Sequence, residues 1–151
     1  MSATGKHTTT VSRWVEFDAG HRVLSHDGHC RRPHGHRYRV TLTCEGTVPA
    51  SGMVVDFGIL STLLDTHVHD VYDHRFMVAV DDVAMFDALN ALDPDGVVVV
   101  PDHPTAENIA EWVAAAIGPR LPDGLILVEV AVRETPKSVA TWRGRTWGDR
   151  Q

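Results

Sequence analysis

From His34 to Cys44 the chain alternates with a period of two. The even positions read His34, His36, Tyr38, Val40, Leu42 and Cys44, and the odd ones include Arg37, Arg39, Thr41 and Thr43. That pattern marks a β-strand with one face buried. It constrains the fold strongly, because a slip of one residue would turn the whole apolar set toward water. It also carries His34 and His36 onto the buried side. Two imidazoles two residues apart on one strand face can share a metal ion. Gly35 between them has no side chain and lets another group approach closely.

A third histidine lies upstream. Val11, Val15, Phe17, Ala19 and His21 make a second alternating set, interrupted by Arg13 on the same parity and Trp14 on the other. His21 therefore ends a buried face, and pairing the two strands would bring three imidazoles together. The polar loop between the strands, Ser25 to Arg32, holds His26, His29 and Cys30. His26 and His29 could be extra ligands, but loop histidines are more often solvated. Cys30 stands within seven residues of His36 in Cys30-Arg31-Arg32-Pro33-His34-Gly35-His36. It reads as a thiol poised to do chemistry beside the metal.

Downstream, Asp56 is placed to cap a helix. Ile59, Leu60, Leu63, Leu64, His67, Val68 and Val71 follow near a 3.6-residue period, which predicts an amphipathic helix of about four turns. His67 and His69 would point in different directions on it and do not suit one metal. Tyr72-Asp73-His74-Arg75 follows, where an Asp beside a His serves either acid–base chemistry or a polar helix end. A short helix is expected over Val83–Leu92, a turn at Asp93-Pro94-Asp95-Gly96, and a short buried strand over Val97–Val100. Thr105 can cap a helix running to Ile117, with Glu107 in its first turn. The span Leu125–Glu134 predicts a strand with Ile126, Val128, Val130 and Val132 on one apolar face. Glu134 ends that face, where an unpaired carboxylate is costly, so it calls for a partner or ligand. Ser138 to Trp147 can form a last strand.

Two strands, then helices, then two strands predict an antiparallel sheet with helices on one face, an α+β fold. Its open edges invite pairing with further copies. At 151 residues a single domain over 1–151 is expected, with about the first eight residues (polar and without a signal-peptide core) loose. A formal charge of −6 argues against a general nucleic-acid binder. The arginines near the motif, Arg22, Arg31, Arg32, Arg37 and Arg39, nonetheless allow a local site for an anionic small molecule. Cys30 and Cys44 make no disulfide framework, which fits free thiols in a reducing cytoplasm. No apolar run reaches transmembrane length.

Six pieces, taken together, resemble the 6-pyruvoyl-tetrahydropterin synthase / 6-carboxytetrahydropterin synthase family. They are Phe17-Asp18-Ala19-Gly20-His21-Arg22, Cys30-x-x-x-His34-Gly35-His36, Gly52-Met53-Val54-Val55-Asp56-Phe57, Asp73-His74, Pro104-Thr105-Ala106-Glu107-Asn108 and Glu134-Thr135. The resemblance implies the T-fold, a four-stranded antiparallel sheet with two main helices, assembled into an oligomeric barrel as trimers or hexamers. It implies Zn2+ held by His21, His34 and His36, with Cys30, Asp73, His74 and Glu134 as catalytic residues. Glu134 would anchor the pterin ring, with Thr105, Glu107 and Arg22 also on the substrate side. The implied substrate is 7,8-dihydroneopterin triphosphate. The compact, Cys-containing chain more resembles the branch that makes 6-carboxytetrahydropterin, on the route to 7-deazapurines such as queuosine. The other branch makes 6-pyruvoyl-tetrahydropterin, and a non-catalytic pterin- or purine-binding relative is a third reading. Two departures stand out: Gly20 where the family usually has Ala or Ser, and Arg75-Phe76-Met77 after the Asp-His pair. The Met77–His103 segment is also longer than in short family members.

Overall fold

The computed structural model describes residues 7–144. Strand β1 (Thr8–His21) and strand β2 (His34–Thr47) form a long antiparallel pair whose register sets His21 opposite His34 and Ala19 opposite His36. The alternation behaves as expected: Tyr38, Val40, Leu42 and Cys44 are all fully buried. On β1 the buried parity is Phe17, Ala19 and His21, while Trp14 turns outward and stacks under the Arg39 guanidinium at 4.1 Å. Thr8, counted in the end expected to be loose, belongs to β1. Residues 1–6 lie outside the described part.

Helix α1 (Phe57–Leu64) begins at Asp56, whose side chain accepts from the Gly58 backbone N–H. It continues through a π-helical turn over Asp65–His69 into a last turn, α2 (Asp70–Tyr72). Together these make the helix anticipated from the 3.6-residue spacing. Strand β3 (Arg75–Ala79), helix α3 (Val83–Leu92) and strand β4 (Val97–Val100) come next. Helix α4 (Ala106–Ile117) is capped by Thr105, whose hydroxyl accepts from the Asn108 N–H. Strands β5 (Ile126–Thr135) and β6 (Ser138–Arg143) close the chain, and Trp147, expected in the last strand, lies outside the described residues. Leu60, Leu64 and Val68 from the first helix and Ile109, Val113 and Ile117 from α4 join Val40, Leu42, Val130 and Val132 in one core. The helices therefore cover one face of the sheet, as a half-buried sheet requires.

The sheet differs from expectation in two ways. Among the described residues it has six strands in the order β4-β3-β1-β2-β5-β6, and β3 and β4 run parallel to their neighbours instead of antiparallel. The four antiparallel strands β1, β2, β5 and β6 are those expected. The longer segment after Asp73-His74 adds a β3–α3–β4 crossover at the β1 edge. The second difference is a bulge. Thr43 pairs with Glu129 but Cys44 pairs with Leu127, leaving Val128 as the extra residue. The buried parity of β5 therefore switches from Leu127 to Val130 and Val132, so Ile126 and Val128 do not lie on one buried face with them. A bulge bends and re-aims the strand that carries it. A further irregularity, against β6, falls between Arg133 and Thr135, at Glu134 itself.

Candidate active site

The β1–β2 register is what gathers the histidines. His21 and His34 are direct cross-strand partners, and His36 is one pleat along on the same face, within reach across the diagonal. Gly20 and Gly35 face each other between them. A Cβ on Gly35 would lie 3.0 Å from the Ala19 carbonyl oxygen, so the close approach foreseen at Gly35 is that of the β1 backbone. The three rings pack with centroids 4.6, 4.9 and 5.2 Å apart. One ligating atom from each lies within 4.8 Å of the others.

The tautomers follow from the hydrogen bonds. His21 Nδ1 is 2.6 Å from the Pro104 carbonyl oxygen, and His34 Nδ1 is 2.6 Å from the Arg32 carbonyl oxygen. A carbonyl has no proton to give, so each Nδ1 must carry and donate one. Each Nε2 then presents a lone pair, and the two Nε2 atoms stand 3.1 Å apart. Lone pairs that close repel unless a cation or proton lies between them. Tetrahedral zinc with Zn–N of about 2.0–2.1 Å sets nitrogens about 3.3 Å apart, so this spacing fits. Backbone carbonyls on the far ring nitrogens are also the usual support of metal-ligating histidines. Burial holds His21 and His36 below the ordinary imidazole pKa, which keeps both neutral and able to ligate. The donor set therefore suits a divalent metal.

Glu134 turns into this cluster from β5. Its Oε1 is 3.6 Å from His21 Nε2 and 3.9 Å from His36 Nε2. The carboxylate thus faces the Nε2 edge of the cluster, where a bound cation would be its counter-charge. Cys30 is exposed and lies on a short 3-10 turn, His29–Arg31. A cavity of about 320 Å³ is lined by His21, Cys30, Thr105, Glu107 and Glu134. Five of the candidate residues, drawn from β1, the loop, the α4 N-terminus and β5, thus share one hollow. His26 lines it too, although sequence reasoning left it in the solvated loop. Cys44, in contrast, is fully buried, and burial pushes its thiol up to about 11, so it is the inert cysteine.

Asp73 and His74 form a dyad of their own. His74 Nδ1 and Asp73 Oδ2 are 2.6 Å apart, and Asp73 Oδ1 accepts the Asp18 backbone N–H at 2.9 Å. The carboxylate raises the His74 pKa and the imidazole helps to lower that of Asp73. His74 takes a left-handed backbone conformation (φ 57°), and its N–H donates to the Asp18 carbonyl at 2.7 Å. That unusual conformation holds its ring in solvent beside a separate hollow of about 670 Å³, lined also by Gly20, His36, Arg37 and Phe76. Within one copy of the chain, Cys30 and His74 therefore line different hollows, one bordered by His21 and the other by His36. Arg22 is already engaged: its Nε and Nη2 each donate to buried Asp82 at 2.6 Å. Its charge is matched inside the protein, by a partner that no local pattern marks.

The two departures from the family pattern explain each other. A Cβ on Gly20 would lie 2.5 Å from the Phe76 ring, so the missing side chain is the space the phenyl occupies.

Comparison with known proteins agrees with this geometry. A Rickettsia bellii protein named 6-carboxy-5,6,7,8-tetrahydropterin synthase is 33% identical over 129 residues, covering 83% of this chain and 93% of its own. Among solved structures, a Wolinella succinogenes protein described as uncharacterized superposes with a TM-score of 0.81 at 26% identity, covering 92% of this chain and 99% of its own. Caenorhabditis elegans 6-pyruvoyl tetrahydropterin synthase follows at a TM-score of 0.69 and 25% identity, covering 93% and 98%. The profile of the 6-pyruvoyl tetrahydropterin synthase family matches residues 10–145. With the T-fold sheet, the three histidines and nearly the full length matched, the chain belongs to the 6-pyruvoyl tetrahydropterin synthase family.

Proposed function

We propose that this chain is a zinc-dependent lyase that converts 7,8-dihydroneopterin triphosphate to 6-carboxy-5,6,7,8-tetrahydropterin, in the cytoplasmic route to 7-deazapurines such as queuosine. The observation that carries this reading is the single cavity shared by His21, Cys30, Thr105, Glu107 and Glu134. The names of the matched relatives favour the 6-carboxy product.

His21, His34 and His36 would hold the metal through Nε2. When bound, zinc supplies Lewis-acid polarisation of a coordinated oxygen. The residues of the chain do the rest. Glu134 accepts hydrogen bonds from the pterin amide N–H and amino group, fixing the ring. Thr105 and Glu107, at the α4 N-terminus, line the same wall. Holding the reacting carbon against a base in this way lowers the barrier entropically. Cys30, as the thiolate, takes a proton from the substrate side chain, with Arg31 and Arg32 as its neighbours. Asp73 and His74 form a second proton relay, with Asp73 Oδ2 orienting the imidazole. Their place in a separate hollow of one copy suits an assembled homo-oligomer, in which β4 and β6, the edge strands among the described residues, pair with neighbouring copies. Arg22 serves the site by anchoring the strand end next to His21 through Asp82.

The test is incubation of the zinc-loaded protein with dihydroneopterin triphosphate, followed by product mass. The 6-carboxy product is expected. Release of 6-pyruvoyl-tetrahydropterin would move the chain to the other branch. Binding without turnover over hours would make it a pterin-binding protein instead.

A further inference from the structure

We infer that Tyr38 is a positioning residue for the proposed metal cluster, holding the His21 ring in the orientation in which Nε2 can ligate. The Tyr38 side chain is fully buried, and its hydroxyl lies 3.2 Å from His21 Nδ1. That nitrogen also donates to the Pro104 carbonyl at 2.6 Å. Nδ1 carries a single hydrogen, and the carbonyl demands it. The Tyr38 oxygen is therefore a second acceptor for the same N–H, in a bifurcated bond. The Pro104 carbonyl, which can only accept, sets the hydrogen on Nδ1 and the lone pair on Nε2, which faces His34; the Tyr38 oxygen then accepts from the same N–H and holds the ring in place. The alternative tautomer would put a hydrogen on Nε2, in the middle of the cluster.

The ring of Tyr38 adds a steric constraint. It meets both His21 and His36 edge-on, at 87° with centroids 5.8 and 5.7 Å away. Behind it Phe17 stacks at 5.1 Å, and Tyr72 stacks on Phe17 at 5.5 Å. Tyr72 immediately precedes Asp73. An aromatic column through the core thus ends on two ligands at one end and beside the Asp73–His74 dyad at the other. The phenol is the tip of that column, and its hydroxyl is the only part that bonds a ligand. Tyr38 follows from the β2 alternation, two residues beyond His36 on the same face, and nothing assigned to the site so far includes it.

The experiment compares zinc affinity in wild type and Tyr38→Phe, by competition with a chromophoric chelator using zinc alone. Outer-layer partners of metal histidines typically contribute about 10–100-fold in metal affinity. Tyr38→Phe keeps the ring and its stacking, so at least about a tenfold weaker zinc constant is expected. An affinity unchanged within about twofold overturns the inference. Phe17→Leu disturbs the stacking but not the hydroxyl, and should leave zinc affinity near wild type. An equal loss in both variants would mean that packing alone is at work, and would also overturn it. Should Tyr38→Phe not fold, the comparison is made with a fluorinated tyrosine at position 38, whose oxygen is a weaker acceptor: weaker zinc binding supports the assignment, and an unchanged affinity refutes it. None of these measurements depends on turnover, so a failed product assay leaves them intact.

Discussion

Replacing Arg22 by Met isolates what holds the inserted crossover against the histidine cluster. Arg22 follows His21 directly, and its guanidinium makes two 2.6 Å hydrogen bonds to Asp82. Asp82 is 3% exposed and also accepts from the Met85 N–H at the start of α3. Met fills much of the space of Arg but leaves a carboxylate buried without its counter-charge. Breaking one side of a buried pair costs about 3–5 kcal/mol. For a domain of this size each kcal/mol corresponds to about 2–4 °C in Tm, so a drop of roughly 6–20 °C is expected at pH 7. Asp82→Asn should cost less, because it removes the charge that needs a partner. The pH dependence has a definite sign. The Arg22 hydrogen bonds hold the Asp82 carboxyl below its ordinary value of 3.8. The pair therefore stabilises fully above that value and loses its contribution as pH falls through the lower folded value. The gap between wild type and Arg22→Met should accordingly be wide at neutral pH and close in acid. The assay is thermal unfolding of metal-free protein at fixed protein concentration, since bound metal and assembly shift Tm on their own. A Tm within about 2 °C of wild type at pH 7 would refute the ion-pair account and return Arg22 to the substrate side.

Cys30→Ala should abolish turnover while retaining stoichiometric zinc; full activity would remove Cys30 from the chemistry. His34→Ala should release the metal, and undiminished zinc by elemental analysis would discard the ligand assignment. Gly20→Ala forces a Cβ to 2.5 Å from the Phe76 ring and should destabilise by about 1–3 kcal/mol. Most of that loss should return in the double variant with Phe76→Leu, and a purely additive pair would show that the two positions are uncoupled. Asp73→Asn should lower the NMR titration midpoint of His74, because the Asp73 carboxylate is what raises it. An unmoved midpoint would break the proposed relay.

Much of the site is legible in one dimension because strand parity is a local property. His21, His34 and His36 fall on buried faces by counting in twos, and the antiparallel register then brings them together. Glu134 could be marked in the same way, as a carboxylate ending an apolar run. The caps at Asp56 and Thr105, and the helices they start, rest on contacts within a single turn. The crossover was less legible. Phe76 to Val78 in β3 does not alternate, since a strand flanked on both sides by parallel neighbours has no single wet face to advertise.

What the amino-acid order alone determined was the set of faces: which side chains turn inward, where helices begin, and that three imidazoles and a carboxylate end buried runs. The tertiary structure alone decided the rest. The bulge at Val128 reverses the parity of β5, and it exists only in relation to the partner strand. The Arg22–Asp82 pair joins residues 60 apart, and Phe76 occupies the space that Gly20 leaves open. The tautomer of His21 depends on the carbonyl oxygen supplied by Pro104, with the Tyr38 hydroxyl beside the same nitrogen. Periodicity is written along the chain, whereas pairing, burial of charge and proton position depend on groups that only folding brings into contact.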